Sequence, residues 1–97
     1  MPDHRFEWDE SKNAANQRKH RVSFEEAQTV FFDDRAILIE DPDELDEDRF
    51  ILLGLSAGLR ILVVCHCYRS QDGIIRIISA RKAHREERRD YKTRWRR

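Results

Sequence analysis

Two of the histidines and a scatter of arginines are the side chains of this sequence that could do chemistry. Imidazole changes charge near neutral pH and can pass a proton in either direction. Guanidinium stays charged, and its fork matches phosphate oxygens. His20 closes a helix-forming stretch beside Lys19, while His66 sits in the middle of an apolar run. Arg76 lies inside another apolar run, where an unpaired charge is costly. Arg49 and Arg81 fall at the ends of such runs and could grip an anion. Each has a plainer alternative. His20 could interact only with its own helix end, and His66 could be a core histidine hydrogen-bonded to a neighbour. Arg76 could form an ion pair across a sheet, and Arg60 could be no more than an edge charge.

Weaker candidates surround these. Lys12, Asn16, Lys19 and His20 share one helix face. Lys12 and Asn16 could bind an anionic backbone, although solvation explains them equally well. Arg85, Arg88 and Arg89 offer an electrostatic footprint with no base-reading geometry. Cys65 and Cys67 point to one side of a strand and His66 to the other, which does not fit a structural zinc site. No metal and no cofactor is expected.

The elements that must position these residues centre on Arg49 to Lys82. The runs Arg49–Ser56, Arg60–Tyr68 and Ile74–Ser79 read as three strands bounded by turn residues. Ala57-Gly58 and Asp72-Gly73 supply hairpin turns, so the strands form an antiparallel meander. Parity puts Arg60, Leu62, Val64, His66 and Tyr68 on one face of the middle strand. If both loops hold an even number of residues, Arg49 and Ser79 join the His66 side. An odd second loop would instead bring Arg76 there, and a one-residue slip reverses the faces.

The flanks read as covering elements. His4 to Trp8 alternates as a short strand, and Asp9 caps a helix to about His20. Ala14 and Ala15 give that helix little apolar surface to bury. Ser23 and Glu26 form a capping box for a second helix, with Phe24, Ala27, Val30 and Phe31 along one side. Residues 36–39 make a further strand and 41–48 an acidic loop. Ala83 to about Trp95 reads as a third helix. The fold class is therefore α+β: an antiparallel sheet with two N-terminal helices on one face and a C-terminal helix.

With 97 residues the chain is expected to be one domain, 1–97. Apolar and charged residues each make up 39%, so the core is modest and a partner or self-dimer that buries more surface is expected. The formal net charge is zero, but acids gather before Arg49 and bases after Ser79, which favours an anionic partner at one end. Two unbridged thiols, no signal peptide and no membrane-length run point to the cytoplasm. On these grounds alone the chain is an anion-binding α/β domain.

A resemblance sharpens this. Phe6 to His20, Val22 to Ala27, Asp48 to Gly54, and Arg76 to Ala83 with Glu87, Arg88 and Tyr91 resemble the BrnT toxin family, in order and over nearly the whole chain. One departure is Arg21, where the family usually has a glycine suited to a left-handed helix cap. The resemblance implies a RelE-like fold and a ribonuclease toxin of a type II toxin–antitoxin pair. Its partner would be a BrnA-type antitoxin with a ribbon-helix-helix domain, and operator DNA would be reached only through that antitoxin. It implies metal-independent RNA cleavage, which needs a base for the 2′-hydroxyl, an acid for the 5′-oxygen and cations for the phosphorane. His20, Arg49, His66, Arg76 and Arg81 are then the catalytic candidates. Lys12, Asn16, Lys19, Arg60, Arg85 and Arg88 are the RNA-binding ones. A homodimer and a heterotetramer both remain open. The competing readings are a toxin-like module that binds without cleaving, and a DNA-binding protein acting through its basic tail. The latter lacks a helix-turn-helix signature.

Overall fold

The computed structural model describes residues 5–40, 49–69 and 73–95; the acidic loop of residues 41–48 lies outside them. The elements are β1 (Arg5–Glu7), α1 (Glu10–His20), α2 (Phe24–Thr29), β2 (Ile37–Glu40), β3 (Arg49–Leu55), β4 (Ile61–Tyr68), β5 (Ile74–Lys82) and α3 (Arg85–Trp95). A 3-10 turn, Val30–Phe32, follows α2. The sheet runs β1-β5-β4-β3-β2, with β1 parallel to β5 and every other pair antiparallel. The expected meander is its centre.

Two apolar clusters form on the sheet. Val22, Phe24, Ala27 and Val30 pack on Leu52, Leu62, Val64, Ile77 and Ala80, so α2 and the turn before it cover one face. On the other face, Tyr91 of α3 packs with Leu53, Val63 and Ala83. Among the described residues, that cap reaches only the end of the sheet near Leu55 and Ile61; the rest of this face carries Ile51, Cys65, Cys67 and Ile78 with charged residues around them. Gly54 allows the 3-10 turn to sit close, since a Cβ there would lie 2.8 Å from Val30 Cγ1 and 2.9 Å from Ala36 Cβ.

α1 shows what a helix without large apolar side chains requires. Ala14 and Ala15 are exposed, and the residues it buries are Asn13 and Asn16. Asn13 Oδ1 accepts from Phe24 N at 2.9 Å, and its Nδ2 donates to Glu25 Oε1 at 2.9 Å. Asn16 Nδ2 donates to Val22 O and Ala80 O, both at 2.8 Å, and its Oδ1 accepts from Ala80 N at 3.2 Å. The side chain thus satisfies β5 where β1 has ended. Hydrogen bonds to backbone hold the helix where apolar burial does not. Arg21 takes the left-handed cap (φ 59°) despite its side chain, with its N–H on Gln17 O at 2.9 Å.

Register corrects the expected parity. Leu55 pairs with Ile61, so residues 56–60 form an odd loop, and Leu59 rather than Gly58 takes the left-handed conformation (φ 63°). Arg49 consequently pairs with Cys67 and shares a face with Cys65 and Cys67, not with His66. Tyr68 pairs with Ile75, which keeps Ile75 and Ile77 on the His66 side as an even loop requires. A bulge opposite Cys65/His66 then shifts the register, and Cys65 pairs with Ser79. The extra residue re-aims Ser79 onto the Cys65 face, a common use of bulges near sites.

Candidate active site

The partly open face of the sheet carries a groove made of two hollows. The first, about 270 Å³, has Ile51, Val63, Cys65, Ser79 and Ala80 as its floor and His20, Arg49 and Arg81 around it. The second, about 290 Å³, is lined by Lys12, Arg49, Cys67, Tyr68, Arg69, Arg76 and Ile78. Arg49 lines both.

Each wall residue is placed by a local device. His20 is the last residue of α1 and sits one turn beyond Asn16, whose clamp on Ala80 ties that turn to β5 between Ser79 and Arg81. Arg81 is held in a fork by Glu87, with Nη1 to Oε1 at 2.8 Å and Nη2 to Oε2 at 2.9 Å. Glu87 also accepts from His84 N at 2.7 Å, closing the first turn of α3 as a capping-box glutamate does. The Arg81 hydrogen bonds, with smaller help from His84, bring the Glu87 carboxyl down to about 2 against the opposing effect of burial. The same pair pushes Arg81 up. Its guanidinium is thus fixed in direction while still a third exposed to the groove.

The remaining expected site residues separate. Arg76 lines the second hollow and donates to Glu7 Oε2 at 2.9 Å, so it is paired across the sheet yet remains in the groove. Lys12 joins it there. His66 is a correction: it is fully buried on the opposite face. Its ring lies 4.8 Å from Phe31, 5.3 Å from Tyr68 and 6.2 Å from Phe50. Nδ1 is 3.2 Å from Val64 O, and Nε2 has no partner. Burial holds its pKa below the usual histidine range. Such a residue is a neutral core histidine, out of reach of the groove.

Asn16 is a second correction, since both ends of its amide are committed to backbone. Arg60 is a third. Its Nε donates to Glu26 Oε2 at 3.0 Å, its Nη2 to Glu26 Oε1, and again to Arg21 O at 3.1 Å. The Arg60 hydrogen bonds hold Glu26 below the usual carboxylate range. This pair lies before β4, away from Cys65 and Cys67, and fastens α2 to the hairpin. Lys19 is exposed and does not line the groove. Arg85 and Arg88 line a separate shallow hollow on α3 with Arg89, Lys92 and Thr93. Glu87 and Glu7 are the residues that the sequence did not single out for the site. The His84-to-Glu87 spacing was a legible cue for the first; nothing marked the second.

Among the described residues no group of three or more His, Cys, Asp or Glu could hold a metal ion. Among those residues no helix is long and apolar enough to cross a membrane. The groove therefore offers one imidazole and several guanidinium groups over a largely apolar floor.

A family model described as "Ribonuclease toxin, BrnT, of type II toxin-antitoxin system" matches residues 8–87. The chain belongs to the BrnT family. Its fold agrees: the 1.1 Å crystal structure of the Brucella abortus ribonuclease toxin BrnT superposes with a TM-score of 0.64 at 25% identity, covering 84% of this chain and 99% of that one. No curated protein matches the chain. The BrnT assignment makes it a ribonuclease toxin of a type II toxin–antitoxin system and implies an antitoxin partner. The matched span contains His20, Arg49, Arg81 and Glu87, so the whole first hollow falls inside the BrnT domain.

Proposed function

We propose that the first hollow is the cleavage centre of a metal-independent endoribonuclease, and that His20, Arg49 and Arg81 do its work. The observation that carries this reading is the gathering of one imidazole and two guanidinium groups from three separate elements around one hollow. The 2′-oxygen attacks phosphorus as its proton leaves to a base, and the 5′-oxygen departs as it gains a proton. His20 is the group in the hollow fit to carry those protons. Arg81, aimed by Glu87, and Arg49 meet the charge that builds on the phosphoryl oxygens. Ser79, turned inward by the bulge, can donate to the same oxygens.

Cleavage of RNA would arrest translation, and a BrnA-type antitoxin would neutralise the toxin and carry it to the operator. The test is digestion of single-stranded RNA by the purified chain in excess chelator, with end-group analysis of the fragments. The expected result is chelator-resistant cleavage that leaves 2′,3′-cyclic phosphate ends and is lost in His20→Ala. Cleavage that stops with chelator, or that leaves 3′-hydroxyl ends, contradicts the mechanism. Intact RNA throughout favours a module that only binds.

A further inference from the structure

We infer that the second hollow is a separate phosphate subsite, taking the backbone phosphate of single-stranded RNA next to the one being cleaved. This rests on the ribonuclease reading and extends it beyond the cleavage centre. Lys12 of α1, Arg49 of β3, Arg69 after β4 and Arg76 of β5 converge on the hollow, over Cys67 and Ile78. Four cations from four segments thus share one hollow, and one carboxylate among the described residues bridges two of them.

That carboxylate is Glu7. Its Oε2 lies 2.9 Å from Arg76 Nη1 and 3.4 Å from Arg69 Nε. A single oxygen between two guanidinium groups is the arrangement a bound phosphate oxygen would adopt. Glu7 sits at the end of a three-residue strand at the sheet edge, opposite Arg76. Its side chain is a third exposed, so solvent and an incoming anion can reach the pair. Glu7 does not itself line the hollow, and it would compete with a bound phosphate for these two guanidinium groups.

The spacing fits a polynucleotide. Cys65 marks the floor of the first hollow and Cys67 that of the second, two residues along β4 and roughly 7 Å apart. That is comparable to the step between successive phosphates of an extended strand. RNA laid along β4 would set neighbouring phosphates over the two hollows, with Arg49 between them.

The test is fluorescence anisotropy of a labelled 2′-O-methyl single strand, which keeps every phosphate but cannot be cut through its own 2′-oxygen. Affinity is measured against salt. Each lost phosphate contact lowers the slope of log affinity against log salt by about 0.7. Arg76→Gln and Arg69→Gln are each expected to lower it by about that amount. Arg69 is more than half exposed, so its variant keeps the test valid if Arg76→Gln fails to fold. Glu7→Gln is expected to tighten binding several-fold. An unchanged slope in both arginine variants overturns the subsite, as does weaker binding by Glu7→Gln. Equal competition by an oligoglutamate of the same charge also overturns it, making the hollow a general carboxylate site. A chain that binds with this arginine dependence yet cuts no ordinary RNA keeps the subsite and ends the nuclease reading. A chain that cuts RNA while both variants keep the full slope ends the subsite alone.

Discussion

Arg81 and Glu87 show how one carboxylate can serve both a fold and a site. Glu87 caps α3 through His84 N and grips Arg81 by both oxygens. In Glu87→Gln the fork loses its charge and its matched pair of acceptors. We expect kcat to fall more than KM rises, because the role proposed for Arg81 is greatest in the transition state. Steady-state kinetics on a defined RNA checks this. The pH response has a fixed sign. The folded carboxyl sits at about 2, below the 4.5 of the unfolded chain, so its stabilisation is complete above pH 4.5 and is lost as pH falls toward 2. Acid unfolding of Glu87→Gln should lack that component. His66 illustrates the opposite case, a titratable residue sealed in the core away from the groove.

Helix α1 is held by amides, and its last residue is the proposed acid–base group, so on that proposal anchoring and activity are linked through Asn16. Asn16→Ala leaves Ala80 N, Ala80 O and Val22 O without their buried partner. A loss of about 2–3 kcal/mol in chemical denaturation is expected. Cleavage should fall even where the variant remains folded, since the turn bearing His20 is no longer tied to β5. The sequence announced the elements well. Long apolar runs marked the meander, Asp9 and Ser23 marked the helix starts, and the order of layers followed. What it hid was which side chains share a face. Two local features decided that: the odd loop at residues 56–60, and the bulge that separates Ile77 from Ser79. Neither leaves a composition signal, because Leu59 rather than a glycine takes the left-handed position. Asn16 was misread for a similar reason. Its helical spacing beside Lys12 and His20 is the same whether the amide faces solvent or the backbone of β5.

Taken whole, the molecule divides its labour between two faces. One is closed by α1 and α2 and contains the core, with His66 neutral inside it. The other, among the described residues, is closed only at one end by Tyr91 and leaves a cationic groove over the remainder. The closed face gives the fold its own pH limit. Burial depresses the folded His66 pKa below 6.5, so its contribution is complete above that value. Stability should begin to decline as pH drops below about 6.5, before the carboxylates titrate. Thermal melts across that range should show the decline in the wild type and not in His66→Phe. The open face is where the proposed cleavage centre lies. The measurement that tests this division most directly is the single-turnover cleavage rate of one defined single-stranded RNA at pH 7, in chelator, for His20→Ala and His66→Phe side by side. The account predicts a drop of about 10²-fold or more for His20→Ala and a rate within a few-fold of wild type for folded His66→Phe. A reversed pattern, or equal loss in both, would contradict it.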